Sequence, residues 1–491
     1  MKLSELLARN CHPDPDISGL TADSRRVAPG VLFGAFKGVD ADGAAFIDDA
    51  VARGAAAILA VTDVAAKRAT EFEEKGVAVV GDDEPRRAFA KAAARLYGPR
   101  PEKAVGVTGT NGKTSTAWFA AGVWARLGRA SGSIGTLGAL APGFERALGM
   151  TTPEPALLHQ TLRDMATAGV DRVAIEASSH GLAQFRVDGV AFDAAAFTNI
   201  TQDHLDYHPT FADYEAAKRR LFEACVVEGG VAVISMDGAG ADRMRAAASE
   251  RGLATVETGR TGRDIRLARV DARVDGLSAA AEIDDRTIEF SMPCIGAFQV
   301  ENALTAAALA ASVEDERPYA DAVLALDGLA APPGRMQKAA EVNGAAAYVD
   351  YAHTPDALET ALSAARAHAR RRLVVIIGAG GDRDRAKRPL MGAAAAGGAD
   401  IVIVTDDNPR SEDPASIRRD LIAGAPGALE IGDREEAVIK AVSMLEAGDL
   451  LIVAGKGHET GQIVGEEVRP FDDRAAVVAA AEAAGGKAEA Y

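Results

Sequence analysis

The stretch VTGTNGKTS, residues 107–115, decides how the rest of the chain is interpreted. An apolar run at 104–107 precedes it and a helical pattern at 115–126 follows, which predicts a strand, a glycine-rich turn and a helix. Such a turn holds nucleotide phosphates, because backbone N–H groups and the helix N-terminus face the anionic oxygens. Lys113 would add a positive charge and Thr114 a hydroxyl for Mg²⁺. We therefore predict a phosphate-binding loop.

The spacing of this loop differs from the common G-x-x-x-x-G-K-[ST] pattern. That pattern requires glycine at position 107, where this chain has Val107, and Gly106 lies one residue too early. A glycine-rich turn that merely precedes a helix is the structural alternative. The Lys113–Thr114 pair favours phosphate binding over that alternative.

Composition restricts the class of protein. A chain of 491 residues, 48% hydrophobic and 25% charged, is an ordinary globular protein with room for about three domains. The formal net charge of −17 argues against nonspecific nucleic-acid binding. Cys11, Cys225 and Cys294 predict neither a disulfide framework nor a zinc site. With no apolar leader and no run approaching ~20 apolar residues, we expect a cytoplasmic protein without membrane insertion.

Two proline-containing stretches, at 97–101 and 331–335, divide the chain, because proline and glycine disfavour a continuing helix. The predicted domains are therefore 1–99, 100–332 and 333–491. Strands are predicted in the first domain at 31–36, 56–61 and 76–80, with a helix at 46–53. Apolar strands alternate with helices from about 102 to 332, and the last block repeats that design. We predict an α/β protein whose central and C-terminal domains have mostly parallel sheets.

Polar clusters follow predicted strands of the central block, as the phosphate loop does. The strand at 173–175 leads into EASSH, and the strand at 194–197 leads into TNITQDHLDYH. Ligands of open α/β sheets bind beyond the carboxyl ends of the strands, so we expect one shared site. Glu176 and His204 are candidate metal ligands, flanked by carboxylates at 203 and 206 that could orient the imidazole. A loop histidine bonded to a neighbour is the alternative.

The segment 214–222 (YEAAKRRLF) has a helical pattern that places Lys218 on a mixed face with Tyr214. The lysine could extend along the surface to solvent, which is the commoner case. It could instead enter the site, where a neutral amine can react with CO₂ to form a carbamate that binds metal as a carboxylate does. The pattern leaves both possibilities open.

Four predicted strands of the last block each end in glycine, histidine or charged residues. The sequences that follow them are YAHTP (351–355), GAGGDRD (378–384), DDNPR (406–410) and GKGHE (455–459). These endings predict a second ligand-binding edge. GAGGD is a poor dinucleotide fingerprint, because its third glycine is misplaced and nothing else supports NAD.

Together these motifs resemble those of the Mur ligase family of peptidoglycan synthesis. The resemblance covers essentially the whole chain in the same order, through TGTNGKT (108–114), residues 176–182, DHLD (203–206), residues 214–218, DNPR (407–410) and GKGHE (455–459). It implies three domains: an N-terminal UDP-binding domain, a central P-loop ATPase and a C-terminal Rossmann-like domain. It also implies a monomer.

The family's chemistry implies an ATP-dependent, amide-forming ligase. ATP would phosphorylate the D-Glu γ-carboxylate of UDP-N-acetylmuramoyl-L-alanyl-D-glutamate. The amine of meso-2,6-diaminopimelate would then attack the acyl phosphate, giving an amide, ADP and phosphate. Mg²⁺ and Lys113 would offset the repulsion between the anionic groups brought together.

The resemblance also implies roles for individual residues. The catalytic residues would be Lys113 and carbamylated Lys218. ATP would be bound by Gly109, Thr110, Asn111, Gly112, Lys113, Thr114, Ser115, Asn302, Arg335 and His353. The metal ligands would be Thr114, Glu176, His204 and Lys218. The UDP substrate would be bound by Ser24, Thr151, Thr152, Ser178, Gln184 and Arg186. Diaminopimelate would be bound by Arg383, Asp407, Asn408, Pro409, Arg410, Gly455 and Glu459.

Arg410 bears on the amino acid that is added. Diaminopimelate carries a carboxylate that lysine lacks, and an arginine binds such a group through two parallel hydrogen bonds. A buried, unpaired Arg410 would reject lysine by ~10³-fold or more. An ordinary Asp-Asn-Pro turn is the structural alternative. The other functions considered are a lysine-adding Mur ligase, a folylpolyglutamate-type ligase, and a nucleotide-binding regulator without catalysis.

Overall fold

The computed structural model describes residues 1–38, 41–201, 207–273 and 276–489. The chain divides into two compact units. The first consists of Met1–Arg263 and Ala308–Tyr319, and the second of Asp264–Ala307 and Ala320–Tyr491. This grouping differs from the division at 99 and 332, which stays a prediction. Among the described residues, no helix combines the length and apolar character needed to cross a membrane.

The first part of unit 1 is a four-stranded parallel sheet in the order β1-β2-β3-β4. Its elements are α1 (Leu3–Leu7), β1 (Gly19–Thr21), β2 (Val31–Ala35), α2 (Ile47–Ala52), β3 (Ala57–Val61), α3 (Thr62–Glu73), β4 (Ala78–Asp82) and α4 (Pro85–Tyr97). The strands predicted at 31–36 and 56–61 are confirmed to within one residue. The strand predicted at 76–80 begins two residues later.

The second part of unit 1 places β5, which precedes the phosphate loop, inside a larger sheet. Its elements are β5 (Lys103–Thr108), α5 (Lys113–Arg126), β6 (Ser131–Gly135), β7 (Gly138–Ala141), β8 (Phe144–Arg146), α6 (Pro155–Thr167), β9 (Arg172–Glu176), α7 (Ser179–Ala183), β10 (Phe192–Phe197), α8 (Phe211–Arg220), β11 (Val226–Ser235), α9 (Ala241–Glu250) and β12 (Ala254–Gly259). The order is β12-β11-β10-β5-β9-β6-β7-β8, and the strands from β12 to β6 are parallel. The carboxyl ends of β9, β5 and β10 therefore meet at one edge.

His159 on α6 is a buried histidine that is not among the predicted site residues. It is 4% exposed, and its Nε2 has no hydrogen-bond partner among the described residues. Burial, with a contribution from the nearby Arg100 charge, lowers the pKa of His159 to about 4. The folded state therefore resists a proton that the unfolded state accepts.

We expect this histidine to make stability depend on pH. Above pH ~6.5, the unfolded pKa, the histidine is neutral in both states and the free energy of unfolding is at its full value. As the pH falls from there towards about 4, only the unfolded state takes up the proton, and the free energy of unfolding decreases. His159→Phe should remove about 2–3 kcal/mol of that loss in urea unfolding measured between pH 7.5 and 4.5. Replacing the exposed His12 is the matched control. An unchanged pH slope in His159→Phe would contradict this account.

Unit 2 begins with three antiparallel strands and continues as a second α/β sheet. Its elements are β13 (Ile265–Arg273), β14 (Gly276–Ile283), β15 (Arg286–Met292), α10 (Ala297–Ala311, whose last turn belongs to unit 1), α11 (Tyr319–Leu324), β16 (Gln337–Val342), β17 (Ala345–Asp350), α12 (Pro355–Arg366), β18 (Leu373–Ile377), α13 (Lys387–Gly398), β19 (Ile401–Val404), α14 (Pro414–Gly424), β20 (Leu429–Glu430), α15 (Arg434–Ser443), β21 (Leu450–Ala454), β22 (Gly461–Val464), β23 (Glu467–Pro470), α16 (Asp473–Ala483) and β24 (Lys487–Ala488). The second sheet has the order β20-β19-β18-β21-β17-β16-β24 and is parallel from β20 to β17.

The predicted alternation of strands and helices up to residue 332 is wrong for β13, β14 and β15, which follow one another without an intervening helix. β14 and β15 are joined by Asp284 and Asp285, whose φ values of 47° and 62° form a tight hairpin turn. Asparagine–glycine is the usual sequence signal for such a turn. Because this turn is formed by two aspartates instead, the hairpin was not predicted. The predicted parallel arrangement is confirmed for the strands of the C-terminal sheet that precede the four polar motifs.

Candidate active site

The phosphate loop runs from the end of β5 into α5, which begins at Lys113, two residues before the predicted start. Gly109 has φ 154°, and a Cβ there would lie 1.9 Å from Thr198 Oγ1. Gly112, with φ 84°, is the residue before α5. Lys113 Nζ donates to the carbonyls of Gly109 (2.9 Å) and Thr110 (2.8 Å). Glycine is therefore required where the backbone passes closest to β10, and the ammonium lies over the loop.

Residues at the end of β10 hold this loop in place. The backbone N–H of Thr110 donates to the Asn199 carbonyl (2.8 Å), and that of Asn111 donates to Asn199 Oδ1 (3.1 Å). Thr198 Oγ1 donates to the Asn111 carbonyl at 2.6 Å. The sequence pattern did not single out Asn199 as a site residue. Its signal is positional, because β10 and β5 are parallel neighbours that end level with one another.

Glu176 is the last residue of β9 and is buried beside the loop. Its Oε2 accepts hydrogen bonds from Thr114 Oγ1 (3.0 Å) and Thr136 Oγ1 (3.2 Å), and its Oε1 accepts from the Thr136 N–H (2.8 Å). Thr136 was not predicted to belong to the site. The carboxylate and the two hydroxyls thus form one oxygen-rich group at the first turn of α5.

This donor set fits Mg²⁺, which binds through one or two carboxylates, water and substrate phosphates. Thr114 and Glu176 already place a hydroxyl and a carboxylate oxygen side by side. His204, with Asp203 and Asp206, lies outside the described residues. Among the described residues, no three histidines, cysteines or acidic groups cluster as a metal site of their own. The predicted ligand set therefore stays a prediction.

Gly135 leaves the space that the Glu176 side chain occupies. A Cβ at Gly135 would lie 1.9 Å from Glu176 Oε1 and 2.4 Å from Cδ. We expect Gly135→Ala to displace the carboxylate and lower kcat by ~10²-fold, the loss expected for one misplaced catalytic group. Gly397→Ala is the control, because a Cβ at Gly397 meets nothing within 4 Å. Steady-state kinetics at saturating substrates would show it, and wild-type kcat in Gly135→Ala would contradict it.

Lys218 on α8 is 1% exposed, which excludes the solvent-facing orientation that the helical pattern had left open. Its Nζ donates to the Gly109 carbonyl at 2.6 Å and lies 4.5 Å from the centre of the Tyr214 ring. The Tyr214 hydroxyl is 2.8 Å from Thr110 Oγ1. One face of α8 is therefore turned to the phosphate loop. Carbamylation of the amine stays a prediction.

Four residues predicted to bind the UDP substrate form one hydrogen-bonded group, Thr152, Ser178, Gln184 and Arg186, and a fifth, Thr151, joins it through Thr136 and Glu176. Thr152 Oγ1 accepts from the Ser178 N–H (3.0 Å), and Arg186 Nη1 donates to the Thr152 carbonyl (2.8 Å). Arg186 Nη2 donates to Gln184 Oε1 at 2.8 Å. Thr151 Oγ1 lies 3.0 Å from Thr136 Oγ1, which connects this group to Glu176. The sixth residue, Ser24, is buried in a separate 3₁₀ turn, Ser24–Arg26.

Three of the predicted diaminopimelate residues of unit 2 contact a buried lysine that was not predicted. Lys456 Nζ is 0% exposed and contacts Asp407 Oδ1 (3.3 Å), Asn408 Oδ1 (3.0 Å) and Glu459 Oε2 (3.4 Å). Asn408 Nδ2 donates to Glu459 Oε2 at 2.9 Å. Gly455, with φ 116°, leads from β21 into this group. The lysine lies within the GKGHE motif, but the motif alone does not tell which of its side chains is buried.

Arg410 adopts a left-handed backbone conformation, with φ 51°. The β22–β23 hairpin fixes this backbone, because Arg410 N–H donates to the Ile463 carbonyl (3.0 Å) and its carbonyl accepts from Gly465 N–H (2.8 Å). Its Nη1 donates to the Gly381 carbonyl at 2.8 Å. A Cβ at Gly380 would lie 2.8 Å from the same Nη1 and 3.8 Å from Arg383 Cγ. Gly380 thus leaves the space that the Arg410 guanidinium occupies.

Two of the remaining predicted ATP residues lie near Tyr351, which follows β17. The Arg335 guanidinium is 4.8 Å from the Tyr351 ring centre, and the His353 ring is 4.6 Å from it. Burial and the nearby Glu459 carboxylate raise the pKa of Tyr351. Asn302 lies on α10 one turn after Gln299, which donates to the Arg335 carbonyl.

Three Mur ligase family models match the chain. They describe the Mur ligase family catalytic domain (residues 16–97), the Mur ligase middle domain (107–310) and the Mur ligase glutamate ligase domain (334–457). A UDP-N-acetylmuramoyl-L-alanyl-D-glutamate–2,6-diaminopimelate ligase of Agrobacterium fabrum is 49% identical over 96% of this chain and 95% of its own. The chain belongs to the Mur ligase family. A ligase of the same name from Bradyrhizobium diazoefficiens is 48% identical over 98% of this Mur ligase and 99% of its own chain.

Solved structures confirm the three-domain α/β fold of this Mur ligase. A diaminopimelate ligase of the same name has a TM-score of 0.70 at 32% identity, covering 98% of this chain and 99% of its own. A MurF ligase from Thermotoga maritima in complex with ADP has a TM-score of 0.58 at 18% identity, covering 98% of both chains. The second likeness concerns the fold alone. As a member of this family, the protein is an ATP-dependent, amide-forming ligase.

Proposed function

We propose that this Mur ligase joins meso-2,6-diaminopimelate to the D-Glu γ-carboxylate of UDP-N-acetylmuramoyl-L-alanyl-D-glutamate during peptidoglycan precursor synthesis. Relatives with that name, 46–49% identical over nearly the whole chain, support the assignment. The observation that carries it is the polar cluster of unit 2, where Arg410 lies in the same loop as Asp407, whose carboxylate contacts Lys456 together with that of Glu459. We expect the enzyme to act as a cytoplasmic monomer, without a nucleic-acid partner.

In the first step, a γ-carboxylate oxygen attacks the γ-phosphorus of ATP, and the bond to the bridging oxygen of ADP breaks. Lys113 offsets negative charge on the transferring phosphoryl group, and the N-terminus of α5 points its N–H groups at the phosphates. Thr114 and Glu176, with His204 and carbamylated Lys218, would hold Mg²⁺. The ion would supply positive charge that draws together the carboxylate and the phosphate. The products of the step are an acyl phosphate and ADP.

In the second step, a neutral amine of diaminopimelate attacks the acyl carbon. The carbon–nitrogen bond forms, the amine loses a proton and inorganic phosphate leaves. Arg410 and Arg383 would bind the distal carboxylate, and Glu459 the ammonium on the same carbon. This fixes one end of the amino acid and leaves the other amine free to react.

The substrate that carries UDP would be held by the hydrogen-bonded group on the other side of Glu176. Arg186 can pair with a phosphate or carboxylate, and the hydroxyls of Thr151 and Ser178 can donate to the sugar and peptide. Thr152 Oγ1 donates to the Glu176 carbonyl at 2.8 Å, so Thr152 would position Ser178. Ser24 would contact the uridine portion. These contacts would place the D-Glu γ-carboxylate near the phosphate loop.

Two other ligase activities compete with this proposal. A lysine-adding enzyme would leave Arg410 without a carboxylate, at a cost of ~10³-fold or more in discrimination. A folylpolyglutamate synthase of Mycobacterium tuberculosis shares the fold, with a TM-score of 0.58 at 18% identity over 75% of this chain. That similarity concerns the fold alone and gives no evidence for a folate substrate. Arg410 favours the amino acid with two carboxylates.

The proposal is tested by mass spectrometry of the product. The enzyme is incubated with ATP, Mg²⁺, the UDP-muramoyl dipeptide and either diaminopimelate or lysine. We expect the diaminopimelate-containing tripeptide and ~10³-fold less lysine product at equal concentrations. Equal turnover of both amino acids would refute the proposed specificity. A thermal shift with a folate substrate and none with the UDP dipeptide would favour the folylpolyglutamate alternative.

A further inference from the structure

Lys456 contacts residues predicted to bind the amino acid, but its own side chain is closed off from solvent. The side chain is fully buried, and each of its three ammonium protons faces one acceptor, on Asp407, Asn408 and Glu459. A buried ammonium with three oxygen partners is fully satisfied, so it has no free proton for a substrate. Its contacts reach three of the seven residues predicted to bind diaminopimelate.

The contacts of Lys456 fix the orientation of the Asn408 amide. Asn408 Oδ1 accepts from Lys456 Nζ at 3.0 Å and from the Ile463 N–H at 2.9 Å. Both partners are obligate donors, so the atom between them must be the oxygen. The amide nitrogen therefore faces Glu459, to whose Oε2 it donates at 2.9 Å. One carboxylate oxygen of Glu459 is thus engaged by the protein, which leaves Oε1 for a ligand.

Arg434 is a second buried cation, and it contacts the end of β21, directly before the loop that contains Lys456. Arg434 binds Asp473 through two hydrogen bonds, Nε to Oδ1 (2.7 Å) and Nη2 to Oδ2 (2.8 Å). Its Nη2 also donates to the Ala454 carbonyl (2.9 Å), directly before Gly455. The cluster of Lys456, Arg434, Asp407, Asp473 and Glu459 contains three carboxylates and two cations. The two cations thus pair with these carboxylates around the start of the loop that follows β21.

We propose that Lys456 is a positioning residue for amino-acid selection, which orients Asn408 and Glu459 so that Glu459 Oε1 receives the ammonium at the distal end of the added amino acid. The substrate class is an amino acid whose distal carbon carries both an ammonium and a carboxylate. This inference rests on the proposed function. It adds a residue that touches no substrate and acts through two residues that do.

The test uses the full-length enzyme and the variant Lys456→Met, which keeps the side-chain length and removes the charge and the donors. We expect the KM for diaminopimelate to rise ~30-fold or more, the loss typical of hydrogen bonds to charged groups. The KM values for ATP and for the UDP dipeptide should stay within ~3-fold, because their proposed residues keep their contacts. Lys440→Met is the control, since Lys440 is an exposed lysine of the same unit.

A purely structural role would give a different pattern. Loss of folded protein lowers kcat and leaves KM unchanged, so an unchanged KM for diaminopimelate in Lys456→Met would overturn the inference. Lys456→Gln, which keeps a hydrogen-bond donor, should show a smaller rise. If Lys456→Met is not recovered in folded form, the KM of Lys456→Gln for diaminopimelate tests the inference by the same criteria.

A double-mutant cycle with Glu459→Gln identifies the partner through which Lys456 acts. If Lys456 works by orienting Glu459, the double variant should lose about as much as the worse single variant. Losses that multiply would refute the coupling. Failure of the wild-type enzyme to use diaminopimelate would instead refute the proposed function, because the inference concerns only differences between variants.

Discussion

Lys113→Ala is expected to lower the rate of ADP formation by about 10³-fold or more. The ammonium is the cation that the loop itself supplies, and it now bonds the carbonyls of Gly109 and Thr110. On nucleotide binding, that charge becomes available to the phosphates. Because it stabilises charge in the transition state, its removal should lower kcat more than it raises the KM for ATP.

The control for this prediction is Lys67→Ala, which removes an exposed lysine from α3 of the same unit. Its rates should match those of the wild type. Ligation at the normal rate in Lys113→Ala would contradict the assignment of residues 107–115 as a phosphate loop. Absence of ligation by the wild-type protein itself would instead favour the alternative of a nucleotide-binding regulator without catalysis.

Lys218→Ala is expected to lose activity by about 10³-fold and to regain part of it with added acetate. The Lys218 amine is buried and lies 2.6 Å from the Gly109 carbonyl. The ammonium first loses a proton, and the neutral amine then reacts with CO₂ to give a carbamate and a second proton. A cation beside the loop would thereby become an anion that can bind metal. The alanine variant leaves space in which a small carboxylate can take over that role.

Acetamide is the matched control for acetate, since it has nearly the same shape and no charge. We expect rescue by acetate and none by acetamide, measured as ADP release over a series of additive concentrations. Absence of rescue by acetate and by formate would count against the carbamate. Equal rescue by acetamide would indicate that the additive merely fills the space.

The sequence predicts the part of the fold that regular patterns encode. Apolar runs that end in polar motifs located the strands predicted at 104–107 and 173–175 to within one residue at each end. The hairpin at Asp284 and Asp285 was missed, because its turn lacks the glycine that usually marks such a conformation. The grouping into two compact units also could not be read from proline-rich linkers, since it depends on which helices pack together.

The site was predicted where chemistry depends on residue type, and missed where it depends on space. Thr114 and Glu176 were predicted as neighbours, and their side chains are hydrogen-bonded. Gly135 was not predicted, because what matters there is the lack of a side chain, which leaves the volume that Glu176 fills. Lys456 was not predicted, because a motif does not tell which of its charges is buried. Helical spacing likewise left open whether Lys218 faced solvent or the site.

The central claim is that this enzyme couples ATP cleavage to amide formation between two specific substrates. The most direct measurement is ADP release in reactions that lack, in turn, the UDP-muramoyl dipeptide or diaminopimelate. We predict sustained ADP release only when both are present, with one tripeptide formed per ADP. Sustained ADP release at the full rate without diaminopimelate, or none in the complete reaction, would contradict this account.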